Sequence, residues 1–313
     1  MSAPVTTMTV TNNLFTGTEW NPAQVRDLYG LARNFKLHPR RYRKALSGRC
    51  VALVFEKPSL RARVTFEAGI AGLGGSSIFL DYTAHRLGEL ESIADAAINL
   101  ESRAHCVVAR VFAQKTLHEL AGHLDFPVVN ALSDKFHPCQ ALSDFFTLEE
   151  HFGDVHGLKF AYVGDGNNVC HSLISTAARL GAHIRVATPA QYAPDPAVVD
   201  EANAAAKQTG AAIEIHRSPE EAVNGAQAVY TDVWVSIGHE AETAERLAAF
   251  PGYRVNETLF SLAAPDAVFL HCLPARRGLE VTDGVIDSPR SLVFDQAENR
   301  LHVQKAILLT LLG

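Results

Sequence analysis

The sequence lacks an excess of basic residues, because 28 lysines and arginines stand against 34 aspartates and glutamates and give a formal net charge of −6. Nothing in this composition is suited to neutralising a nucleic-acid backbone. Long apolar runs are also missing, since the strongest, 306–312, is far shorter than the roughly 18 to 20 residues of a membrane helix. We therefore expect neither a nucleic-acid partner nor a membrane partner.

Cysteines are few and follow no pairing pattern. The 5 cysteines are odd in number, lie far apart and form no C-x-x-C pair, which argues against a disulfide framework and a zinc ribbon. The opening segment, MSAPVTTMTVTNN, has no basic stretch followed by an apolar one, so no secretion signal is predicted. We expect reduced thiols, a cytoplasmic location and no metal.

What is present is the composition of an ordinary globular protein, with 47% hydrophobic and 20% charged residues. At roughly 150 residues per domain, the length predicts about two domains. From Arg49 onward, short apolar runs alternate with helix-period stretches, which is typical of parallel sheets with helical crossovers. The predicted class is α/β, with two mostly parallel sheets, each flanked by helices, and a cleft between the two domains.

The apolar runs divide into two series. Strands are predicted at 51–56, 76–81, 105–110 and 127–132, and then at 158–165, 183–189, 212–216, 228–234 and 267–274. A stretch rich in glycine and histidine separates the series and places the boundary between a first domain, 1–150, and a second domain, 151–296. The closing helix, 297–313, and the opening helix have no strand of their own, so both are expected to pack on the first domain.

The first candidate site follows the first predicted strand, where the chain reads S-L-R-A-R. Ser59 stands at an N-cap position, and a helix N-terminus with a nearby hydroxyl and guanidinium suits a phosphate group. Arg61 is the better ligand, because Arg63 points to another side of the helix and lies four residues before Glu67, a spacing typical of an ion pair. A solvated or capping role for this segment remains an equal alternative to phosphate binding.

A second candidate is the segment H-P-C-Q at the start of the long helix from Pro138. It follows a strand, and ligands of open α/β sheets bind at the carboxyl ends of strands. His137 could donate a hydrogen bond or move a proton, and Gln140 could hold a carbonyl or an amide. Taken alone, His137 is better interpreted as a buried histidine at a helix start.

The third segment, G-D-G-N-N at 164–168, invites comparison with a dinucleotide-binding turn. The third glycine of that fingerprint is missing, because Val169 occupies its place. An oxidoreductase that binds a nucleotide at this turn remains one alternative. The side-chain amides of Asn167 and Asn168 suit a small polar ligand better.

Two later strand ends carry polar groups. Asp232 could hold a ligand ammonium and Ser236 a carboxylate, while Cys272 could be a nucleophile, a hydrogen-bonding thiol or an inert buried thiol. A metal held by His271 and Cys272 is not expected, since neighbours on a strand point to opposite faces.

The order and spacing of these segments resemble the aspartate/ornithine carbamoyltransferase family over roughly residues 55–304. The resemblance rests on S-L-R-A-R (59–63), Arg110, H-P-C-Q (137–140), G-D-G-N-N (164–168), D-V-W-V-S-I-G (232–238), H-C-L-P (271–274) and E-N-R (298–300). Aspartate members typically have H-P-T-Q and H-P-L-P where this chain has Cys139 and Cys272. The resemblance is therefore to the ornithine branch.

The resemblance implies a role for each matching residue. Carbamoyl phosphate would be bound by Ser59, Leu60, Arg61, Ala62, Arg110, His137, Gln140 and Arg300, and ornithine by Asn168, Asp232, Ser236, Ile237, Cys272 and Leu273. The catalytic residues among these would be Arg110, His137, Cys272 and Arg300. Arg86 would lie on a loop that a neighbouring subunit supplies.

The implied reaction transfers a carbamoyl group to the δ-amine of L-ornithine, giving L-citrulline and phosphate in arginine biosynthesis, without a cofactor. Family members are typically trimers, so a homotrimer or a multiple of trimers is expected. Four positions depart from the family pattern: Leu60 and Ala62 replace threonines, Ile237 replaces a methionine, and Arg86 replaces a glutamine. A related amine substrate, such as an N-acylornithine or putrescine, and a weakened non-catalytic member remain alternatives.

Overall fold

The computed structural model describes residues 13–313, which form two compact units. Unit 1 comprises the described residues up to Cys139 together with Arg300–Gly313, and unit 2 comprises Gln140–Asn299. Both borders fall inside helices, whereas the sequence placed them at 150/151 and 296/297.

Unit 1 contains a parallel sheet of four strands in the order β2-β1-β3-β4. The strands are β1 (Cys50–Phe55), β2 (Ser76–Asp81), β3 (Cys106–Arg110) and β4 (Val128–Leu132). The helices that connect or follow them are α2 (Leu60–Gly72), α3 (Ile93–Glu101), α4 (Gln114–Ala121) and α5 (Pro138–Phe152). The central strands β1 and β3 are almost entirely buried because helices cover both faces, while the edge strand β2 alternates between exposed and half-buried positions.

Both terminal helices contribute to unit 1, as expected. Helix α1 (Pro22–Leu37) begins at a capping box, in which Asn21 and Gln24 satisfy each other's backbone N–H groups. The final helix, α12 (Val293–Leu312), enters unit 1 at Arg300, and Lys305 Nζ lies 4.8 Å from the centroid of the Phe35 ring of α1.

Unit 2 contains a parallel sheet of five strands in the order β7-β6-β5-β8-β9. The strands are β5 (Lys159–Val163), β6 (His183–Ala187), β7 (Ile213–His216), β8 (Ala228–Thr231) and β9 (Val268–His271). The connecting helices are α6 (Asn168–Leu180), α7 (Pro196–Thr209), α8 (Pro219–Val223), α9 (Thr243–Ala249), α10 (Glu257–Phe260) and α11 (Asp283–Ile286). Alanines, valines and phenylalanines of these elements form its core, among them Val163, Val229 and Phe269.

Each sheet reverses its strand order once, between β1 and β3 in unit 1 and between β5 and β8 in unit 2. Connections leave such a point in opposite directions and open a crevice at the carboxyl ends of the strands. The residues that follow β1, β3, β5 and β8 are therefore the ones the topology favours for ligand binding.

The predicted fold class is confirmed, and the differences concern where elements end. Strand β8 ends at Thr231 and β9 at His271, several residues earlier than the predicted limits at 234 and 274. The polar residues Asp232 and Cys272 thus lie just beyond the sheet. The short helices α8 to α11 were not predicted, and α12 begins at Val293 rather than 297. No helix in the described part of the chain is long and apolar enough to cross a membrane.

Candidate active site

The loop after β1 leads into a capped helix N-terminus. Ser59 is extended, and its Oγ accepts the backbone N–H of Ala62 at 3.3 Å. Helix α2 begins at Leu60, so its first N–H groups and their partial positive charge lie at this turn. The Ser59 hydroxyl still has a proton to donate, so capping and anion binding are compatible.

The two arginines of this turn are used differently. Arg63 Nε donates to Glu67 Oε1 at 3.0 Å, and the Arg63 guanidinium lies 3.7 Å from the centroid of the Phe79 ring. Arg61 is exposed, and within residues 13–313 its guanidinium has no ion-pair partner. Arg61 is therefore the cation that this turn leaves available for a ligand.

The two positions of this turn that depart from the family pattern, Leu60 and Ala62, differ in exposure. The Leu60 side chain is 79% exposed, whereas Ala62 is 1% exposed. Neither side chain can donate a hydrogen bond, so only their backbone N–H groups could contact a ligand, and the N–H of Ala62 already donates to Ser59.

Three predicted ligands come together in unit 1. Arg110 ends β3, His137 precedes α5, Arg300 lies in α12, and all three are buried. Burial, followed by the charges of Arg300 and Arg110, holds the pKa of His137 well below its usual value of 6.5. The imidazole is therefore neutral at physiological pH, and the two guanidiniums carry the positive charge of the cluster.

Lys57 extends this positive region. Lys57 Nζ lies 4.6 Å and the Arg86 guanidinium carbon 4.2 Å from the centroid of the Phe112 ring. Burial and the charge of Arg110 are the main causes that lower the pKa of Lys57, and Arg86 adds to the effect. Lys57 stands two residues before Ser59 but was not among the predicted ligands.

Glu56 fixes the loops around these cations. Its Oε1 accepts the backbone N–H of Leu87 at 3.0 Å, and its Oε2 accepts that of Phe112 at 2.7 Å. The buried carboxylate of Glu56 thus joins the loop that carries Arg86 to Phe112, which lies two residues after the end of β3. Within the single chain, Arg86 packs on unit 1 itself.

Asp232 organises the candidate site of unit 2. Its Oδ2 accepts the Asn167 amide at 2.9 Å, and its Oδ1 accepts the Cys272 thiol at 2.9 Å and the backbone N–H of Val233 at 2.8 Å. The carboxylate is 5% exposed. The ends of β5, β8 and β9 are joined by this side chain, as the strand order favours.

Asn167 rather than Asn168 caps α6. Asn167 Oδ1 accepts the N–H groups of Val169 and Cys170 at 3.0 and 3.1 Å, while Asn168 is the first helical residue and is half-buried. The sequence analysis did not recognise that Asn167 bonds to Asp232. The N-cap position before an apolar helix was the available signal.

His271 positions the segment that follows β9. The backbone N–H of Leu273 donates to His271 Nδ1 at 2.9 Å, so the imidazole proton is on Nε2, which lies 3.2 Å from Glu280 Oε1. Both side chains are completely buried. Leu273 has a φ of 56°, a value uncommon outside glycine, and this pair of hydrogen bonds holds the turn.

A metal ion fits this segment poorly. Ligand atoms of Asp232, His271 and Cys272 lie within 4.8 Å of one another, closer than the argument from opposite strand faces predicted. Cys272 lies beyond the last residue of β9, so strand alternation does not govern its direction. However, His271 bonds through both ring nitrogens and would have to give up a hydrogen bond to bind a metal.

Ser236 and Ile237 lie on the loop that follows β8. Ser236 is half-buried, and Ile237 is 45% exposed. The hydrogen bonds described above for Asp232 run to other residues, so the relation of Ser236 and Ile237 to Asp232 is that they follow it on the same loop after β8.

Arg246 anchors this loop from α9. Its Nη1 donates to Asp165 Oδ2 at 2.7 Å and to the Trp234 carbonyl at 3.0 Å, and its Nε donates to Glu242 Oε2 at 2.8 Å. The guanidinium carbon lies 4.6 Å from the centroid of the Tyr192 ring. Burial raises the pKa of Asp165 to about 6, although Arg246 acts in the opposite direction.

Gln140 belongs to a buried network in unit 2. Its Nε2 donates to Asp144 Oδ1 at 2.7 Å, and the Nε2 of Gln296 donates to the same oxygen at 2.7 Å. Gln296 Oε1 in turn accepts the backbone N–H of His271 at 2.9 Å. Asp144 and Gln296 gave no recognisable signal in the sequence.

Two family models match the chain from near its start to near its end. The carbamoyl-phosphate-binding domain of aspartate/ornithine carbamoyltransferase matches residues 12–150, and the aspartate/ornithine-binding domain matches residues 156–311. The chain belongs to the aspartate/ornithine carbamoyltransferase family. The predicted resemblance and the predicted carbamoyltransferase activity are thereby confirmed.

Similar proteins support the ornithine branch of the family. An ornithine carbamoyltransferase from Thermus thermophilus is 48% identical over 306 residues, which cover 97% of this chain and 98% of that protein. The solved ornithine carbamoyltransferase from Pyrococcus furiosus has a TM-score of 0.93 at 43% identity, covering 97% of this chain and 98% of that one. A solved acetylornithine transcarbamylase has a TM-score of 0.87 at 30% identity, covering 97% of this chain and 100% of that one.

Proposed function

We propose that the protein transfers the carbamoyl group of carbamoyl phosphate to the δ-amine of L-ornithine, giving L-citrulline and phosphate. The observation that carries the choice of substrate is the pairing of Asp232 with Cys272 at the end of the unit 2 sheet. A buried carboxylate suits an α-ammonium group, and the thiol occupies the position that separates the ornithine branch from the aspartate branch.

The phosphate end of carbamoyl phosphate is assigned to the turn after β1. Arg61 and Arg110 supply charge, Ser59 supplies a hydroxyl donor, and Leu60 supplies a backbone N–H group, while the N–H of the neighbouring Ala62 holds the Ser59 hydroxyl in place. Lys57 adds a buried cation near Arg110 that can further favour a dianion.

The carbamoyl end is assigned to His137, Gln140 and Arg300. Negative charge grows on the carbamoyl oxygen when the amine attacks, and donors directed at that oxygen lower the barrier. A neutral His137 can donate a hydrogen bond without bringing a third positive charge to a site that already holds Arg110 and Arg300.

The amine substrate is assigned to unit 2. Asn168, Asp232 and Ser236 hold the α-amino and α-carboxylate groups, Ile237 forms part of the wall, and Cys272 with the Leu273 carbonyl lies by the δ-amine. The new C–N bond forms from the neutral amine, the C–O bond to phosphate breaks, and the amine releases one proton. This chemistry requires no covalent enzyme intermediate and no cofactor.

The proposal extends to assembly and location. Unit 1 exposes apolar side chains at Leu60 and Val64, which share one face of α2, and at Ile78 on the edge strand β2. Exposed apolar surface of this kind favours subunit contact. We expect a homotrimer or a multiple of trimers, with Arg86 on the loop offered to a neighbour, in the cytoplasm and serving arginine biosynthesis.

A panel of amines tests the proposed reaction. L-ornithine, N-acetylornithine, putrescine and L-aspartate are each assayed with carbamoyl phosphate for ureido product. Ornithine should give the highest kcat/KM. Faster turnover of another amine, with ornithine near background, would overturn the substrate, and background rates for all four amines would favour the weakened family member.

Matched arginine variants serve as the control for the site itself. Arg61→Ala should lower kcat/KM strongly, whereas Arg63→Ala, two residues along the same helix, removes an exposed ion pair and a contact with the Phe79 ring and should have little effect on kcat/KM. Equal losses in the two variants would contradict the assignment of the phosphate to Arg61.

A further inference from the structure

Gln140 is held in one orientation by a carboxylate. A side-chain amide has a donating and an accepting end, and a carboxylate can only accept. Because Gln140 Nε2 donates to Asp144 Oδ1 at 2.7 Å, the other end of the amide, Oε1, must point elsewhere. Among the described residues, this buried oxygen has no hydrogen-bond partner.

A second glutamine, Gln296, determines the direction of the hydrogen bonds in this network. Gln296 Oε1 accepts the backbone N–H of His271 at 2.9 Å, so Gln296 must present its NH₂ group to Asp144. Tyr230 donates its hydroxyl to Asp144 Oδ2 at 3.1 Å. With these donors directed at it, Asp144 leaves Gln140 no alternative to presenting its own NH₂ group.

Burial makes this arrangement rigid. Asp144 and Tyr230 are fully buried, and Gln140 and Gln296 are each 1% exposed. Turning the Gln140 amide over would set its oxygen against the carboxylate and bury an unpaired donor, which is costly where water cannot compensate.

We propose that Asp144 is a positioning residue that makes Gln140 an obligate hydrogen-bond acceptor, and so selects a substrate carrying NH₂ next to the acyl carbon. This inference rests on the proposed function, in which Gln140 contacts the carbamoyl group. A carbamoyl NH₂ can donate to Gln140 Oε1, whereas the methyl group of acetyl phosphate cannot. Preference for carbamoyl phosphate over acetyl phosphate thus depends on a residue that does not itself contact the ligand.

Two near-isosteric variants of Asp144 separate the proposal from a general structural role. Asp144→Asn keeps an oxygen that can accept from both glutamines, while Asp144→Leu keeps the bulk and removes the acceptor. The measured quantity is the ratio of the dissociation constants of acetyl phosphate and carbamoyl phosphate, obtained by calorimetry. We expect Asp144→Leu to lower this ratio about tenfold, corresponding to about 1.4 kcal/mol, and Asp144→Asn to keep it within about threefold of wild type.

The loss should be specific to the ligand that carries NH₂. Asp144→Leu should weaken carbamoyl phosphate and leave acetyl phosphate nearly unchanged, whereas general damage would weaken both equally and would overturn the proposal. In a Gln140→Met background, Asp144→Leu should change the ratio no further, because the group it orients is absent. A further change there would also overturn the proposal.

Two controls keep the test decisive. Tyr230→Phe removes another hydrogen bond to Asp144 and the longer contact of Gln296 Nε2 with the Tyr230 hydroxyl at 3.3 Å, but both glutamines stay bonded to Asp144, so the ratio should stay at the wild-type value. If Asp144→Leu does not fold, Asp144→Ala removes the same acceptor and should lower the ratio in the same direction. A wild-type protein that fails to bind carbamoyl phosphate would refute the proposed function, whereas normal binding with an unchanged ratio in the variants would refute only the role of Asp144.

Discussion

Replacing Arg246 with methionine should destabilise the protein strongly at neutral pH and weakly in mild acid. Arg246 and Asp165 form a buried ion pair whose side chains are 6% and 8% exposed. Methionine keeps much of the bulk beside Tyr192 but removes the charge and the donors to Asp165 and Trp234. Asp165 is then left buried without its partner.

The loss of unfolding free energy is large because Arg246 offsets the desolvation of the buried Asp165 carboxylate. Breaking a buried pair by removing one member costs about 3–5 kcal/mol, since the remaining charge stays desolvated. The bond to Glu242 adds little, because that carboxylate is 45% exposed. Burial raises the pKa of Asp165 to about 6. At pH 5 the carboxyl group is therefore mostly protonated in the wild type, and only hydrogen bonds worth about 1–2 kcal/mol are lost.

Urea denaturation at pH 7.5 and pH 5 measures both values. Asp165→Asn supplies the matched control, because a neutral amide at this position needs no counter-charge and the double variant should recover part of the loss at pH 7.5. A cost below about 1 kcal/mol at pH 7.5, or an equal cost at both pH values, would refute this account of the pair. The KM for ornithine should also rise, because Arg246 anchors the loop that carries Ser236.

Three further outcomes are expected. Arg61→Lys should weaken carbamoyl phosphate binding nearly as much as Arg61→Ala in calorimetry, because an ammonium cannot copy the paired donors of a guanidinium; wild-type affinity in the lysine variant would contradict this. Because the pKa of His137 is lowered in the folded protein, only the unfolded chain binds a proton at this residue near pH 6.5, and the free energy of unfolding should fall below that pH. His137→Gln should reduce this fall in urea titrations, and an unchanged dependence of the unfolding free energy on pH would contradict it. Arg86→Gln removes a cation that lies on the Phe112 ring beside Lys57 in the single chain and that the proposed trimer offers to a neighbouring subunit, so it should weaken carbamoyl phosphate binding severalfold at low salt and less at high salt; an effect independent of salt would exclude an electrostatic role.

The sequence predicted the positions of chemical groups more successfully than their partners. Asp232 and Cys272 were predicted because they lie where apolar runs end, and parallel strands bring such positions to one edge of a sheet, whereas Arg110 was implied by the family resemblance. The structure places them at the ends of β3, β8 and β9. Alternation of short strands and helices was sufficient to predict that Asp232 and Cys272 lie at such an edge.

The partners were not predictable, because they lie far apart in the chain. Glu280 meets His271 from the loop before α11, and Arg246 meets Asp165 from α9, an element the sequence analysis did not recognise. Asp144 has the helical spacing of an ordinary polar residue, and only the tertiary structure buries it against a glutamine from α12. Local patterns carry no information about such long-range pairs.

The return of residues 300–313 to unit 1 bears on how the protein is synthesised. Their contribution includes Arg300, whose charge acts on His137 within the candidate anion site. A ribosome that has released only the first 139 residues has delivered every strand of the unit 1 sheet but not this arginine. The nascent sheet can therefore form early, but the proposed ligand-binding surface of unit 1 is complete only after all of unit 2 has been translated.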